Sequence, residues 1–535
     1  MRYIWSILFV LIGHWSCQAS PSNGYPGESI VLSIDRSLYI TGEEISLAGM
    51  LESEQVLSSV VYLEIITPAG EKINQMKLPI IQQHFQGAIN IPEDVLSGYY
   101  YVRAYTKWMR NGSVADYAYQ RIKLVNPRND QILFVSDSLI VENKQESGKA
   151  EMLPSVFSMN KNHFQAREKI RLSVIPASHT SFEWMTIAMT PTFAMAEERH
   201  QKKTTPTYSA ITYFPDTRGL SLSGTVVRHD TAISVPYHLV NLHIAGEKDF
   251  MAALTDSLGR FRFALPEEYG MHELFLIAAS HKDFEVDILV DQDFCNRPVH
   301  LVVPKFSLDA KEKESMVLMA QRQQLKKTFQ TLSDSIPKHL ETSKVFYGHA
   351  FKSIDFSFYV PLDSLEQYFT DLPSWVNVRK KKGKRHLSLV GSQTDLQYYN
   401  PLVMVDWVPV DDMERVLAIH PQRVEKIDII NQSYLHGDIQ YGGIISIHTK
   451  KGDFGGLIFP KSGIYLNYQF YAPQHPKALC PQSFDNTNYW SAFTSVTSFP
   501  LEIDAPSTKA SYTIKIQTMD KDGELGTYLL EFVVE

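Results

Sequence analysis

Residues 401–452 read Pro401-Leu-Val-Met-Val-Asp406-Trp407-Val-Pro409-Val, then Val424-Glu-Lys-Ile427-Asp-Ile-Ile430, then Tyr441-Gly442-Gly443-Ile-Ile-Ser-Ile447-His-Thr449-Lys450-Lys-Gly452. Three short β-branched runs are separated by an amphipathic stretch from Met413 to Ile419 and closed by a glycine pair and a basic turn. β-Branched side chains suit the pleated surface of a strand, and an apolar period of three to four suits a helix. The order is therefore strand, helix, strand, strand, a compact mixed α/β unit.

Working outward, the chain of 535 residues has room for about three to five domains. It is 44% hydrophobic and 12% aromatic, so each part can bury a core. A net charge of -8 argues against a general polyanion binder. Gly and Pro number 27 each, Tyr and Phe are frequent, and helical periodicity is rare, which favours β-sandwiches joined by turns. The expected fold class is mainly β and multi-domain: several sandwiches, one small α/β unit and one amphipathic helical segment.

The N-terminus has Arg2, an apolar core from Ile4 to Ile12, and a small-residue exit at Cys17-Gln18-Ala19. That pattern is a secretory signal peptide over 1–19, too short for a membrane span, with cleavage after Ala19. Lipidation at Cys17 is the rival reading, but His14 and Trp15 stand where a lipobox wants small and aliphatic residues. Of the remaining cysteines, Cys295 and Cys480, the plain reading is two buried or unpaired thiols.

Residues 24–127 alternate in short apolar runs, among them Val60–Ile66 and Tyr99–Tyr105, with turn signals between, and read as one sandwich. Within them, Asp35-Arg36-Ser-Leu-Tyr39-Ile-Thr-Gly42-Glu43-Glu-Ile45-Ser-Leu47 resembles a signature of macroglobulin-type domains in the alpha-2-macroglobulin family, and Pro92 to Tyr101 resembles that domain's closing turn and strand. The pattern expects Tyr39 inward, Gly42 at a turn, and Ile45 and Leu47 on the core face. Phe164-Gln-Ala-Arg-Glu168-Lys-Ile170-Arg-Leu172 echoes it, which expects a second sandwich over 128–215, with an exposed polar loop at Glu197–Thr207.

Residues 216–302 carry Leu222-Ser-Gly224-Thr-Val-Val227 and Thr255-Asp256-Ser-Leu-Gly259-Arg-Phe261-Arg-Phe263, which resemble the carboxypeptidase-regulatory-like (transthyretin-type) sandwich. Asp256 and Gly259 supply a turn, and Phe261 and Phe263 face one core. In 303–395 the period changes. Leu318, Leu325, Phe329, Leu332 and Ile336 make one helical stripe between Lys311 and Leu340, with a break near Gln323 as the alternative and Pro337 ending it. The same segment ends in a hairpin around Gly383, tipped by Arg379, Lys380, Lys381, Lys382, Lys384 and Arg385. The functional reading of those cations is contact with anionic lipid head groups or an acidic partner. The plainer one is a solvated edge that lysines keep from pairing. No aromatic residues interleave, so nucleic acid is not expected.

Residues 396–453 resemble the plug domain of TonB-dependent outer-membrane receptors, with its VDG-x-P, IE-x-I-x-V and G-x-I-x-I-x-TKKG segments, except that Trp407 stands at the glycine. The residues after Gly452 are too few for a transmembrane barrel, so a plug-like module without a barrel is expected. Residues 454–535 are expected to form a C-terminal sandwich-like domain, ending in a hairpin over Asp520-Lys-Asp-Gly523. The combination resembles exported multi-domain proteins of Bacteroidetes.

Catalytic signatures are missing: no HExxH, G-x-S-x-G, P-loop or paired metal-spaced cysteines, and no Cys-Gly-Glu-Gln thioester. His420, His436 and His448 read as surface or core histidines, and Asp520–Gly523 as a turn rather than a calcium loop. Expected are no enzyme, no cofactor and no metal. The expected function is a non-catalytic binding or scaffold protein, in the periplasm or attached to the outer membrane, with an envelope protein as partner and peripheral membrane contact as a further option. One alternative is an accessory subunit of outer-membrane TonB-dependent transport or export. The other is a hydrolase, which needs a pocket uniting carboxylates such as Asp406 and Asp428.

Overall fold

The computed structural model describes residues 25–53, 55–141, 157–174, 182–194, 206–281, 283–329, 345–372, 375–391, 393, 395–436, 439–457, 462–473, 485–496, 500–520 and 523–535. The expected leader over 1–19, Cys17 and Cys480 lie outside them, as does most of the expected loop after Glu197. The fold is mainly β, in several sheets with one α/β unit.

Alternation builds the N-terminal sandwich. A three-stranded sheet (Ser29–Ile34, Glu44–Glu52, His84–Asn90) faces a five-stranded one, ordered Leu38–Ile40, Ala118–Val125, Gly98–Tyr105, Val60–Ile66, Lys72–Pro79. Tyr39, Ile45 and Leu47 are fully buried in the shared core, and Gly42 turns the chain at φ 82°. The polar signature residues are structural. Tyr39 donates to Asp35 (2.7 Å), Arg36 clasps Glu43 through two bonds (2.8 and 3.1 Å), and Glu43 accepts the Ile40 N–H (2.8 Å).

The second sandwich is assembled from both ends of the chain. Its three-stranded sheet joins Phe157–Met159 and Lys169–Val174 to Leu501–Asp504. Its five-stranded sheet runs His163–Phe164, Leu525–Val534, Ala510–Met519, Phe182–Pro191, Tyr489–Val496. The expected separate domains at 128–215 and 454–535 are thus largely one. The reason is burial: Phe182–Pro191 is covered almost throughout and pairs along both edges, which strands of its own segment cannot supply. The echo noted above has a structural counterpart. Leu38–Ile40 and His163–Phe164 each pair in parallel with their sandwich's last strand, and Phe164, Ile170 and Leu172 are buried like Tyr39, Ile45 and Leu47.

The central sandwich pairs Arg260–Ala264, Ser221–Arg228 and Val286–Val290 in one sheet. The other sheet takes Met251–Leu254, Leu239–Ile244, Met271–Ala278 and, from far downstream, Gly463–Gln469. Phe261 and Phe263 are buried as expected, and a Cβ at Gly224 would collide with the Phe261 ring and the Leu289 carbonyl. Between the N-terminal and central sandwiches lies a buried charged seam: Lys77–Asp293 (2.5 Å), Lys107–Asp216 (3.3 Å), and Tyr62 donating to Asp216 (2.7 Å).

The helix Ala310–Phe329 continues unbroken past Gln323. Its buried face carries Met316 and Met319, against Leu38, Ile40 and Ala194, while Leu318 and Leu325 are about 40% exposed. The leucine stripe expected from periodicity is therefore not the packed one. Gln323 donating to the Thr41 carbonyl (3.0 Å) belongs to the true contact face, and its polarity hid that face in the pattern. Residues 330–344, with the rest of the expected stripe, lie outside the described residues.

Around residues 401–452 the unit forms in the expected order, but it is larger than 396–453. Its sheet runs Lys352–Asp355, Val424–Ile430, Ile444–Thr449, Leu402–Val405, Val408–Pro409. The fully buried strand Ile444–Thr449 lies between a parallel and an antiparallel neighbour. Helices Leu365–Thr370 and Met413–Leu417 and the hairpin at 376–389 share its core, since Val376, Leu387 and Leu389 pack with Ile427 and Ile445. The basic hairpin therefore belongs to this unit and not to the helical segment before it.

Candidate interaction surface

The hairpin Val376–Lys381/Lys384–Leu389 is closed by Lys382 and Gly383, at φ 50° and 80°. Two successive positive φ values make a type I′ turn, whose twist matches that of the strands it joins. Register then divides the cations. Val376, Val378 and Lys380 share one face with Leu389, Leu387 and Arg385, while Arg379, Lys381, Lys384 and His386 take the other. On the first face Val376, Leu387 and Leu389 sink into the core, Lys380 stays exposed, and Arg385 reaches two carboxylates. Its guanidinium meets Glu366 (2.8 Å) and Glu414 (2.5 Å), and its backbone N–H donates to Glu414 (2.7 Å). The Arg385 N–H and guanidinium, with the charge of Lys380, hold the Glu414 carboxyl below its ordinary range. Arg385 is thus a latch inside the unit.

Arg379, Lys381, Lys382 and Lys384 are exposed, and no carboxylate among the described residues pairs with them. The surface that remains is four cations on the outward face and tip of a hairpin whose inward face is anchored.

Asp406 and Trp407 form the turn between Leu402–Val405 and Val408–Pro409, at φ 45° and 71°. This is again a type I′ turn, in which the second position prefers glycine. Trp407 holds it by packing, with its ring 5.8 Å from Tyr347 and 4.7 Å from His448. Asp406 accepts the backbone N–H groups of Thr449 (2.7 Å) and Phe454 (2.9 Å), tying this turn to the basic turn after the last strand.

Asp428 accepts from Ser353 (2.7 Å), Lys426 (2.8 Å) and Tyr347 (3.1 Å), with His448 Nε2 at 3.3 Å. Burial by itself would raise this carboxyl, but His448, Lys426 and Ser353 outweigh it and hold it well below the usual carboxylate range. Sequence reading missed Tyr347 and Ser353, which stand 81 and 75 residues before Asp428.

The other singled-out residues have local partners. The His436 ring stacks on Phe250 at 4.4 Å, and His420 accepts the Gln422 N–H (3.3 Å). Asp520 accepts the Glu524 N–H (2.9 Å) at the hairpin end. Cys295 is a buried free thiol. No group of three or more His, Cys, Asp or Glu side chains placed to hold a metal occurs among the described residues. Neither Asp406 nor Asp428 lines the crevices of about 80, 210 and 250 Å³ found among them.

No protein-family model matches the chain, and no curated protein matches it either. Similar solved structures include Salmonella alpha-2-macroglobulin reacted with methylamine, at 8% identity and TM-score 0.16, covering 96% of this chain and 23% of that one. Trypsin-activated Escherichia coli alpha-2-macroglobulin matches at 9% identity and TM-score 0.23, covering 96% and 42%. Fibronectin(III)-like modules of Clostridium thermocellum CbhA match at 10% identity and TM-score 0.12, covering 52% and 98%. The chain spans less than half the length of the alpha-2-macroglobulins it matches. At these TM-scores the likenesses carry no weight for function.

Proposed function

We propose that the chain is a non-catalytic exported envelope protein, a scaffold of sandwiches that presents the α/β unit and its cationic hairpin to an acidic protein partner at the outer membrane. One observation carries this reading. Arg379, Lys381, Lys382 and Lys384 project from an anchored hairpin without carboxylate partners among the described residues, in a chain whose net charge is -8. Fixed, unneutralised charges of one sign steer an oppositely charged partner and set its orientation. Export and envelope placement rest on the apolar leader and on the resemblance of 396–453 to receptor plugs. The macroglobulin-type and transthyretin-type readings of 24–127 and 216–302 rest on their sequence signatures, and give spacer or docking modules. Asp406 and Asp428 each accept hydrogen bonds from their own unit, which supports a binding role over a hydrolase built on that pair.

The test is crosslinking in intact cells, comparing the natural chain with the variant Arg379→Glu/Lys381→Glu/Lys384→Glu. The expected result is a specific envelope protein captured by the first and lost from the second, with unchanged melting temperature. Identical crosslinks from both would refute the role of the hairpin. Capture of a barrel protein would make the chain an accessory of outer-membrane transport or export. Variant-sensitive binding to anionic vesicles, without protein capture, would make the partner a lipid surface.

A further inference from the structure

The outward face of the cationic hairpin is not uniform along its length. Its ladder runs from Lys381 opposite Lys384, through Arg379 opposite His386, to Asn377 opposite Ser388. One more step, closed by the Val390 N–H donating to the Trp375 carbonyl (2.8 Å), brings it to Trp375 and Val390. Charge fills the tip, small polar side chains fill the middle, and apolar surface fills the base. Trp375 is 46% exposed and Val390 39%. Phe351, 53% exposed, stands edge-on to the Trp375 ring, with centroids 5.5 Å apart. A strand rise of about 3.3 Å per residue puts the apolar end about 13 Å from Arg379 and about 20 Å from Lys381.

Two features set Trp375 apart from a stray surface aromatic. Its backbone sits at φ 64°, in the left-handed region that bulky residues seldom take. Trp407 shares that conformation but packs its ring on Tyr347 and His448, whereas Trp375 and its Phe351 neighbour show about half their surface to water. Covering such rings is favourable, and tryptophan and arginine are enriched among the residues that carry the energy of an interface.

An occupant of this strip must be apolar at one end and anionic at the other. An extended peptide has the same rise as the strands, so a side chain docked on Trp375 and Phe351 brings carboxylates about four to six residues away beside Arg379, Lys381 and Lys384. A flat anionic membrane fits less well. It meets whole faces of a chain whose net charge is -8, whereas one peptide segment meets the strip alone.

We propose that the partner of the hairpin binds through an extended acidic segment with an aromatic anchor. The anchor packs on Trp375, Phe351 and Val390, and the carboxylates pair with Arg379, Lys381 and Lys384. This inference rests on the reading of the hairpin as a site for an acidic protein partner, and adds the anchor to it.

The probes are two acetylated octapeptides titrated calorimetrically into the full chain at low salt. One has phenylalanine, three serines and four glutamates in that order; the other has serine in place of the phenylalanine. Covering one aromatic ring should make the first bind about tenfold tighter. Trp375→Gly removes the indole while suiting the positive φ, so it should fold normally and bind both peptides alike. Lys381→Glu/Lys384→Glu should weaken both peptides and keep the preference for phenylalanine. The proposal is overturned by equal binding of the two peptides to the natural chain, by no binding of the first at millimolar concentration, or by a Trp375→Gly variant that keeps the preference. Equal binding that Lys381→Glu/Lys384→Glu still abolishes would strike the anchor and leave the acidic partner standing. Phosphatidylserine vesicles bound through Trp375, with neither peptide bound, would overturn it in favour of a lipid surface. The comparison within the natural chain needs no variant, so a folding defect would not rescue the idea.

Discussion

Ile516 stands in the middle of the sheet that joins the two ends of the chain. It is fully buried, lies opposite Ile187, and shares a core with Phe157, Ile170 and Phe532. Ile516→Ala removes three buried carbons, each worth about 0.8 kcal/mol in transfer, or about 2.4 kcal/mol together. Strands on both sides of Ala510–Met519 hold the backbone, so the void cannot close and the total rises to about 3–4 kcal/mol. That is a large share of the about 5–15 kcal/mol by which a domain is stable. The assay is native-state hydrogen exchange read by mass spectrometry on the full chain. Because Phe182–Pro191 pairs with both Tyr489–Val496 and Ala510–Met519, the segments open together. Protection should fall by about 10²–10³ in 182–191 as well as in 510–519, although more than 300 residues separate Ile187 from Ile516. Loss of protection confined to 510–534, with 182–191 unchanged, would refute the composite sandwich and restore two separate domains.

Two further outcomes test the buried charges. Glu43→Ala leaves Arg36, itself 2% exposed, without its bidentate partner, and should cost about 3–5 kcal/mol in urea denaturation at unchanged slope; a loss under 1 kcal/mol would show that Arg36 finds another partner. The folded Asp428 carboxyl titrates below its unfolded value of about 3.9, so its contribution is full above that range and is lost as pH falls through and below it. Melting temperature should therefore drop on acidification below about pH 4, and less steeply for Asp428→Asn; parallel curves would contradict the Asp428 network.

Some of this was legible in local chemistry. Tyr39, Gly42, Ile45 and Leu47 take the places their spacing demands, and 401–452 forms strand, helix, strand, strand in the expected order. Phe261 and Phe263 likewise share a core. The alternation through Val376, Val378, Leu387 and Leu389 set the hairpin's inward face. Other features had no local mark. Arg385 looked like one more surface cation until helices placed Glu366 and Glu414 beside it. The helix at 310–329 buried Met316 and Met319 instead of its leucines, because the facing edge offered the Thr41 carbonyl to Gln323.

Period, turn residues and side-chain alternation act over a few residues, so the chain by itself determined which segments are strands, which face of each is apolar, and that several sandwiches surround an α/β unit. What it could not determine was which strands complete which sheet. Edge pairing depends on backbone hydrogen bonds that every strand offers alike, and the choice falls to long-range burial. Phe182–Pro191 therefore found its partners near the C-terminus, Gly463–Gln469 completed a sheet begun some two hundred residues earlier, and the crevice of about 250 Å³ came into being only where the central sandwich meets the α/β unit.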